Sequence, residues 1–212
     1  AQMRIAILGA SGRVGRQVIE QALGRGFEVV AQTRAAANLE PIAKLVEVHV
    51  FDPVDSDKLG EFVREADIVV VALGVNSRTP TTLFSDVTKG LLKAMKKHNT
   101  RQLIAITGVG AGETRGHGGI VYDWIIYPLF TRNRYRDKEY QERLIQESDL
   151  EWIIVRPAPF SRRRFPGELE VHTAIRPEVV LKHIAVEEVA EFVVDQFQGS
   201  RYWNQKPFIG HP

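Results

Sequence analysis

The 212-residue chain contains no cysteine. Disulfide scaffolds, cysteine nucleophiles and thiolate metal sites are therefore excluded, and a reducing, cytoplasmic setting is expected. An excess of one charge sign is also lacking: 28 Lys and Arg stand against 26 Asp and Glu, a formal net charge of +2. A dedicated nucleic-acid binder needs a clustered basic surface, so no nucleic-acid partner is expected. Long apolar runs are missing too. Ile5-Ala6-Ile7-Leu8 stops at Gly9, and the stretch 120–130 is interrupted by Asp123 and Pro128. Neither approaches the ~20 residues of a membrane-spanning helix. His117, His172 and His183 are scattered, no two histidines share a helical face, and no metal site is expected. What is present, 44% hydrophobic and 25% charged residues, is globular in kind. The length fits one domain, taken as 3–212, and a monomer or weak homo-oligomer.

Short β-rich runs alternate with helical patterns. Strands are expected at 3–8, 27–32, 45–51, 67–73, 102–106 and 152–155, with weaker ones at 169–174 and 179–184. Helices are expected at 13–23, near 39–44, at 57–65 with Ser56 as N-cap, and at 82–98, 137–147 and 186–197. Strands apolar on both faces and separated by helices imply a mostly parallel sheet covered on both sides. With right-handed crossovers this is an α/β, doubly wound, Rossmann-type single domain. Ligands of such sheets bind beyond the carboxyl ends of the strands. The loops after Leu8, Thr33, Leu73, Thr107 and Val155 are thereby brought around one cleft.

The strongest signal is Gly9-Ala10-Ser11-Gly12-Arg13-Val14-Gly15, set between an expected strand and an expected helix. Glycines there permit a tight turn and close approach of the backbone to a pyrophosphate, while the helix start offers free N–H groups. Gly9, Ser11, Gly12, Arg13, Val14 and Gly15 are candidate cofactor residues. The second strand ends at Thr33-Arg34, where an NAD enzyme often carries an acidic residue for the ribose 2′-hydroxyl. An arginine matches a 2′-phosphate instead. NADP(H) is therefore the expected cofactor, with Arg34 as the main ligand and Arg13 as a helper. Phe51-Asp52 ends the third strand and Leu73-Gly74 the fourth; each either approaches the cofactor, Asp52 at the adenine, or is an ordinary turn.

Gly9–Gly15, Thr33-Arg34, Ala72-Leu73-Gly74 and Ile106-Thr107-Gly108 resemble the landmarks of an atypical short-chain dehydrogenase/reductase. Pro80-Thr81-Thr82, Leu92-Lys93-Ala94-Met95-Lys96, the run from Glu147 to Trp152 and Arg156-Pro157 are similar to the biliverdin reductase B or flavin reductase group. Asp137-Lys138-Glu139 and Gln141-Glu142 resemble NAD(P)-binding, NmrA-like relatives. The resemblance spans nearly the whole chain. It implies NADP(H) and either hydride transfer or redox sensing. Lys138 either reaches the nicotinamide ribose or forms a surface ion pair with a nearby Glu; Thr107 stands beside Gly108 at the usual serine position, and Thr107, Lys138 and Pro157 are taken as cofactor contacts. Lys138 and Thr107 are the catalytic candidates.

The chain departs from that pattern at one point. Most active short-chain dehydrogenases place a Tyr four residues before the Lys, where it protonates a carbonyl oxygen. Here that position is Arg134, and Tyr135 lies about 100° around the helix. Gly108 stands where a serine is usual. Ketone chemistry is therefore disfavoured against a conjugated acceptor that solvent can protonate. The segment 119–136 carries Tyr122, Trp124, Tyr127, Phe130 and Tyr135 beside Arg132, Arg134 and Arg136. Its rings either stack on a planar acceptor, with Tyr122, Trp124, Tyr135 and Arg132 as contacts, or pack onto the core. Arg162-Arg163-Arg164 either meets an acidic acceptor group or faces solvent. The leading expectation is an NADPH-dependent reductase of a flavin, quinone or linear tetrapyrrole. The acceptor site would form from the loops after the fifth and sixth strands. A non-enzymatic NADP(H)-binding redox sensor is the alternative, and a nucleotide-sugar epimerase fits poorly without the Tyr–Lys pair.

Overall fold

The computed structural model describes residues 2–74, 82–108, 116–120 and 132–212, with backbone alone at 132–135. The elements run β1 (Arg4–Leu8), α1 (Arg13–Gly24), β2 (Glu28–Thr33), two 3₁₀ turns (Ala36–Leu39, Ile42–Leu45), β3 (Glu47–Val50), α2 (Ser56–Val63), β4 (Ile68–Val71) and α3 (Leu83–His98). They continue with β5 (Gln102–Ile106), α4 (Arg132–Gln146), β6 (Glu151–Pro157), β7 (Phe160–Ser161), β8 (Glu170–His172), β9 (Ile184–Ala185), α5 (Val186–Asp195) and β10 (Phe208–Gly210). The main sheet has the order β3-β2-β1-β4-β5-β6-β10-β8. All its pairings are parallel except β10 with β8. This is the doubly wound arrangement expected from the apolar strands, and its order reverses between β1 and β4.

Alternating residues feed two separate cores, as the two-residue period of a strand requires. Ile5, Ile7, Ile68, Val70, Ile104, Ile106, Ile153 and Val155 pack with α1 and α5 on one face. Ala6, Leu8, Val69, Val71, Leu103, Ala105, Trp152 and Ile154 pack with α2 and α3 on the other. Burying each large aliphatic side chain contributes roughly 1.5–3 kcal/mol.

Local structure differs from expectation in a few places. The helical piece near 39–44 is two 3₁₀ turns flanking the Glu40-Pro41 bond. The cap of α2 is Asp55, not Ser56; its carboxylate accepts from the N–H groups of Asp57 and Lys58 at 3.1 and 3.4 Å. Of the strand expected at 179–184 only the last residue joins a strand, in β9. Leu181 and Lys182 instead donate backbone N–H groups to the carbonyls of His117 and His211. The helix expected from 137 begins at Arg132. β10 is an addition: Phe208-Ile209-Gly210 is too short to carry a period, yet it is buried and pairs on both sides.

Candidate functional site

The turn from β1 into α1 is held by contacts that only glycine permits. Gly9 has φ of +81°, and a Cβ there would lie 2.8 Å from the Ala72 carbonyl oxygen. Gly15 packs so tightly on the loop that a Cβ would overlap the Gly9 carbonyl oxygen. Gly12 is the N-cap of α1, no side chain caps it, and the first turn carries no acidic residue. A helix start of this kind favours an anion.

Gln32 locks the loop from beneath. Its Oε1 accepts from the Gly9 N–H at 2.8 Å, and its Nε2 donates to the Phe51 carbonyl at 2.8 Å. One side chain thereby joins the glycine loop to the ends of β2 and β3. The Thr33 hydroxyl bonds the Ser11 hydroxyl at 3.3 Å and the Ala35 carbonyl at 3.1 Å. Arg34 follows at the surface, its guanidinium 3.9 Å from the Asp52 carboxylate. Asp52 also accepts from the Val54 N–H at 3.1 Å. Both charged groups and Arg13 are exposed. Leu73 is half-buried, and a Cβ on Gly74 would meet nothing within 4 Å, so packing does not demand glycine there.

A second cluster, beyond the ends of β5 and β6, is polar and buried. Lys138 of α4 donates to the Thr107 carbonyl at 2.6 Å, with its ammonium 4.9 Å from the centre of the Phe84 ring. The Thr107 hydroxyl donates to Glu142 Oε2 at 3.2 Å. Arg156 of β6 is 1% exposed and donates through Nε to both Glu142 oxygens at 2.9 and 3.1 Å, and through Nη2 to Oε1. Asp137 accepts from the N–H groups of Phe84 and Ser85 at 2.7 and 3.2 Å and from the Ser85 hydroxyl at 2.5 Å, tying α4 to the start of α3. Pro157 is buried at the end of β6.

Around the β6 and β10 ends, His211 Nε2 lies 2.7 Å from Glu188 Oε2, and the half-buried His183 stacks on Phe165 with ring centres 3.8 Å apart. Burial lowers the His183 pKa, and His211 and Lys182 add to that shift against Glu188. Arg164 forms a two-pronged pair with Glu191 at 2.9 and 3.1 Å, which holds the guanidinium more firmly protonated. Arg162 and Arg163 are exposed. Tyr122 and Trp124 lie outside the described residues, as do the side chains of Arg132 and Tyr135. Among the described residues no cluster of three or more metal-ligating side chains occurs, and no helix is long and apolar enough to cross a membrane.

The glycine loop, Ser11 and Thr33-Arg34 thus gather beyond the ends of β1 and β2, while Thr107 follows β5, Lys138 lies on α4 and Pro157 ends β6. Sequence reasoning missed Gln32, whose signal is a buried polar residue directly after the apolar run Val29-Val30-Ala31 of β2. It also missed the capping role of Asp137, which depends on a contact 53 residues away.

Strand order and glycine turn define a Rossmann-type fold. A family model described as NAD(P)H-binding matches residues 9–199, and the chain belongs to that family. It is 29% identical over 166 residues to the Bacillus subtilis protein YwnB, covering 74% of this chain and 73% of that one. Two solved structures share the fold. A short-chain dehydrogenase/reductase from Veillonella parvula in complex with NADP has a TM-score of 0.82 at 18% identity, covering 100% of this chain and 96% of that one. ChuY from Escherichia coli O157:H7, described as an anaerobillin reductase, has a TM-score of 0.81 at 19% identity, covering 99% and 98%.

Proposed function

We propose that the protein is an NADPH-dependent reductase acting on a conjugated acceptor such as a flavin, a quinone or a linear tetrapyrrole. The observation that carries this reading is the pairing of a buried Lys138 at the end of β5 with Arg134, rather than tyrosine, four residues earlier. The sequence keeps the lysine of a dehydrogenase but not the tyrosine four residues before it. A ketone needs a proton donor at its oxygen, whereas a conjugated acceptor delocalises the incoming charge and takes its proton from water.

The residues present fit a dinucleotide. The uncapped start of α1 and the Gly9–Gly12 turn suit the pyrophosphate. Arg34 is exposed beside the end of β2, where a 2′-phosphate can displace the Asp52 carboxylate from it. Lys138 and the Thr107 backbone stand at the far end, for the nicotinamide ribose. The bound nicotinamide would supply the hydride. The protein's own contribution is to hold the two partners face to face, which lowers a barrier by up to several kcal/mol. The acceptor site is assigned to the loops after β5 and β6. The NADP bound to the Veillonella protein and the reductase description of ChuY support the reading.

The test is an anaerobic mixture of the protein and NADPH screened against FMN, FAD, quinones and biliverdin. NADPH oxidation with at least one acceptor is expected. Tight NADPH binding with no turnover of any of them would overturn the reductase and leave a redox sensor.

A further inference from the structure

Helix α4 buries an unusual face. Its residues inside the protein are Asp137, Lys138, Gln141 and Glu142, with Ile145 the one buried apolar side chain among the described residues. The buried faces of α1 and α2 are apolar throughout. An ion pair such as Glu142–Arg156 contributes little net stability when both partners are stripped of water, and apolar residues of similar volume would serve the core as well. Its position calls for a reason other than packing.

The contacts supply one. Lys138 and Glu142 are one helical turn apart on the same face of α4. Both are joined to the same residue, Thr107, by opposite ends of it. The hydroxyl donates to Glu142 at 3.2 Å, and the carbonyl accepts from Lys138 at 2.6 Å. The Thr107 N–H donates to Val155 at 2.9 Å, so the residue is pinned at three points. Arg156 holds the Glu142 carboxylate in a single orientation from β6 through Nε and Nη2.

We infer that Thr107, Glu142 and Arg156 are a positioning network that fixes the direction of the Lys138 ammonium toward the nicotinamide ribose. The Thr107 hydroxyl is then spent on Glu142, and its carbonyl is the group that aims the lysine. This inference rests on the reading of the cleft as a nicotinamide site.

The experiment separates the two halves of the cofactor. Calorimetric titration measures the affinity of wild type, Thr107→Val and Thr107→Ser for NADP+ and for adenosine 2′,5′-bisphosphate, which lacks the nicotinamide half. Valine keeps the carbonyl and the volume but loses the hydroxyl link, and leaves the Glu142–Arg156 pair intact. NADP+ binding is expected to weaken roughly 3–10-fold in the valine variant, bisphosphate binding to stay unchanged, and serine to restore the NADP+ affinity. In a Lys138→Met background, Thr107→Val should have no further effect on NADP+. Should the valine variant fail to fold, Thr107→Ala carries the same comparison. Equal loss for both ligands, no loss for either, or the same valine effect without Lys138 overturns the network. A wild-type protein that binds the bisphosphate but gains nothing from the nicotinamide half overturns the cleft reading, and the inference with it.

Discussion

Gly15 stands against Gly9 so closely that its missing side chain is what lets α1 reach the turn: a Cβ would overlap the Gly9 carbonyl oxygen and come within 3.0 Å of the Ala10 Cα. The atoms in the way are backbone and cannot swing aside. Gly15→Ala is expected to displace the start of α1, destabilise the fold by ~1–3 kcal/mol and weaken dinucleotide binding at least tenfold. Thermal unfolding and a calorimetric titration with NADP+ check both effects.

Arg34 is tied only loosely to Asp52, at 3.9 Å and with both groups exposed. Arg34→Ala should therefore leave the melting temperature unchanged. Loss of a charge-assisted contact is expected to raise the Michaelis constant for NADPH roughly 10–100-fold and leave that for NADH nearly constant. An unchanged NADPH-to-NADH ratio would sink the 2′-phosphate assignment.

Glu142 and Arg156 are buried as partners, so removing one strands the other. Glu142→Ala or Arg156→Ala is expected to cost roughly 3–5 kcal/mol in denaturant unfolding. The double change to apolar residues of matching volume should be much milder than the sum of the single changes. A double variant as unstable as that sum would mean that the pair itself holds the sheet and α4 together.

His183 gives a pH prediction. Burial lowers its pKa below the ordinary histidine value, with His211 and Lys182 pushing the same way. Below about pH 6.5 the unfolded chain takes up a proton that the folded one resists, so stability falls as the pH drops through that value toward the folded pKa. Melting temperature is expected to decline between pH 7 and pH 5, and His183→Gln should flatten part of the decline. An identical slope in the variant would assign it to other groups.

The glycine turn and the strand ends around it were open to sequence reading because their signals are local. Gly9 to Gly15 are contiguous, and Arg34 sits at the end of a strand whose apolar pattern marks it. Other parts of the site depend on contacts between distant segments. Gln32 reaches Phe51, Asp137 reaches Phe84, and Arg156 reaches Glu142 through the folded core. No periodicity encodes such meetings. Ser56 was the natural choice of cap by residue type, but Asp55 precedes it with an equally suitable side chain, and geometry decides between neighbours. β10 escaped because three residues carry no period, and of the strand expected at 179–184 only Ile184 enters β9.

β10 inserts between β6 and β8 in the main sheet although it comes last in the chain. During synthesis the strands β1 to β5 and their helices can dock as they emerge, since each finds its neighbour already made. β8 has no such neighbour in the sheet until residues 208–210 have left the ribosome. At about 5–20 residues per second the edge of β6 thus waits several seconds, with its outer hydrogen-bonding groups unpaired. The nascent chain completes its β1–β5 end first and its β6–β10–β8 end last, so a chaperone or a premature stop acts selectively on the latter.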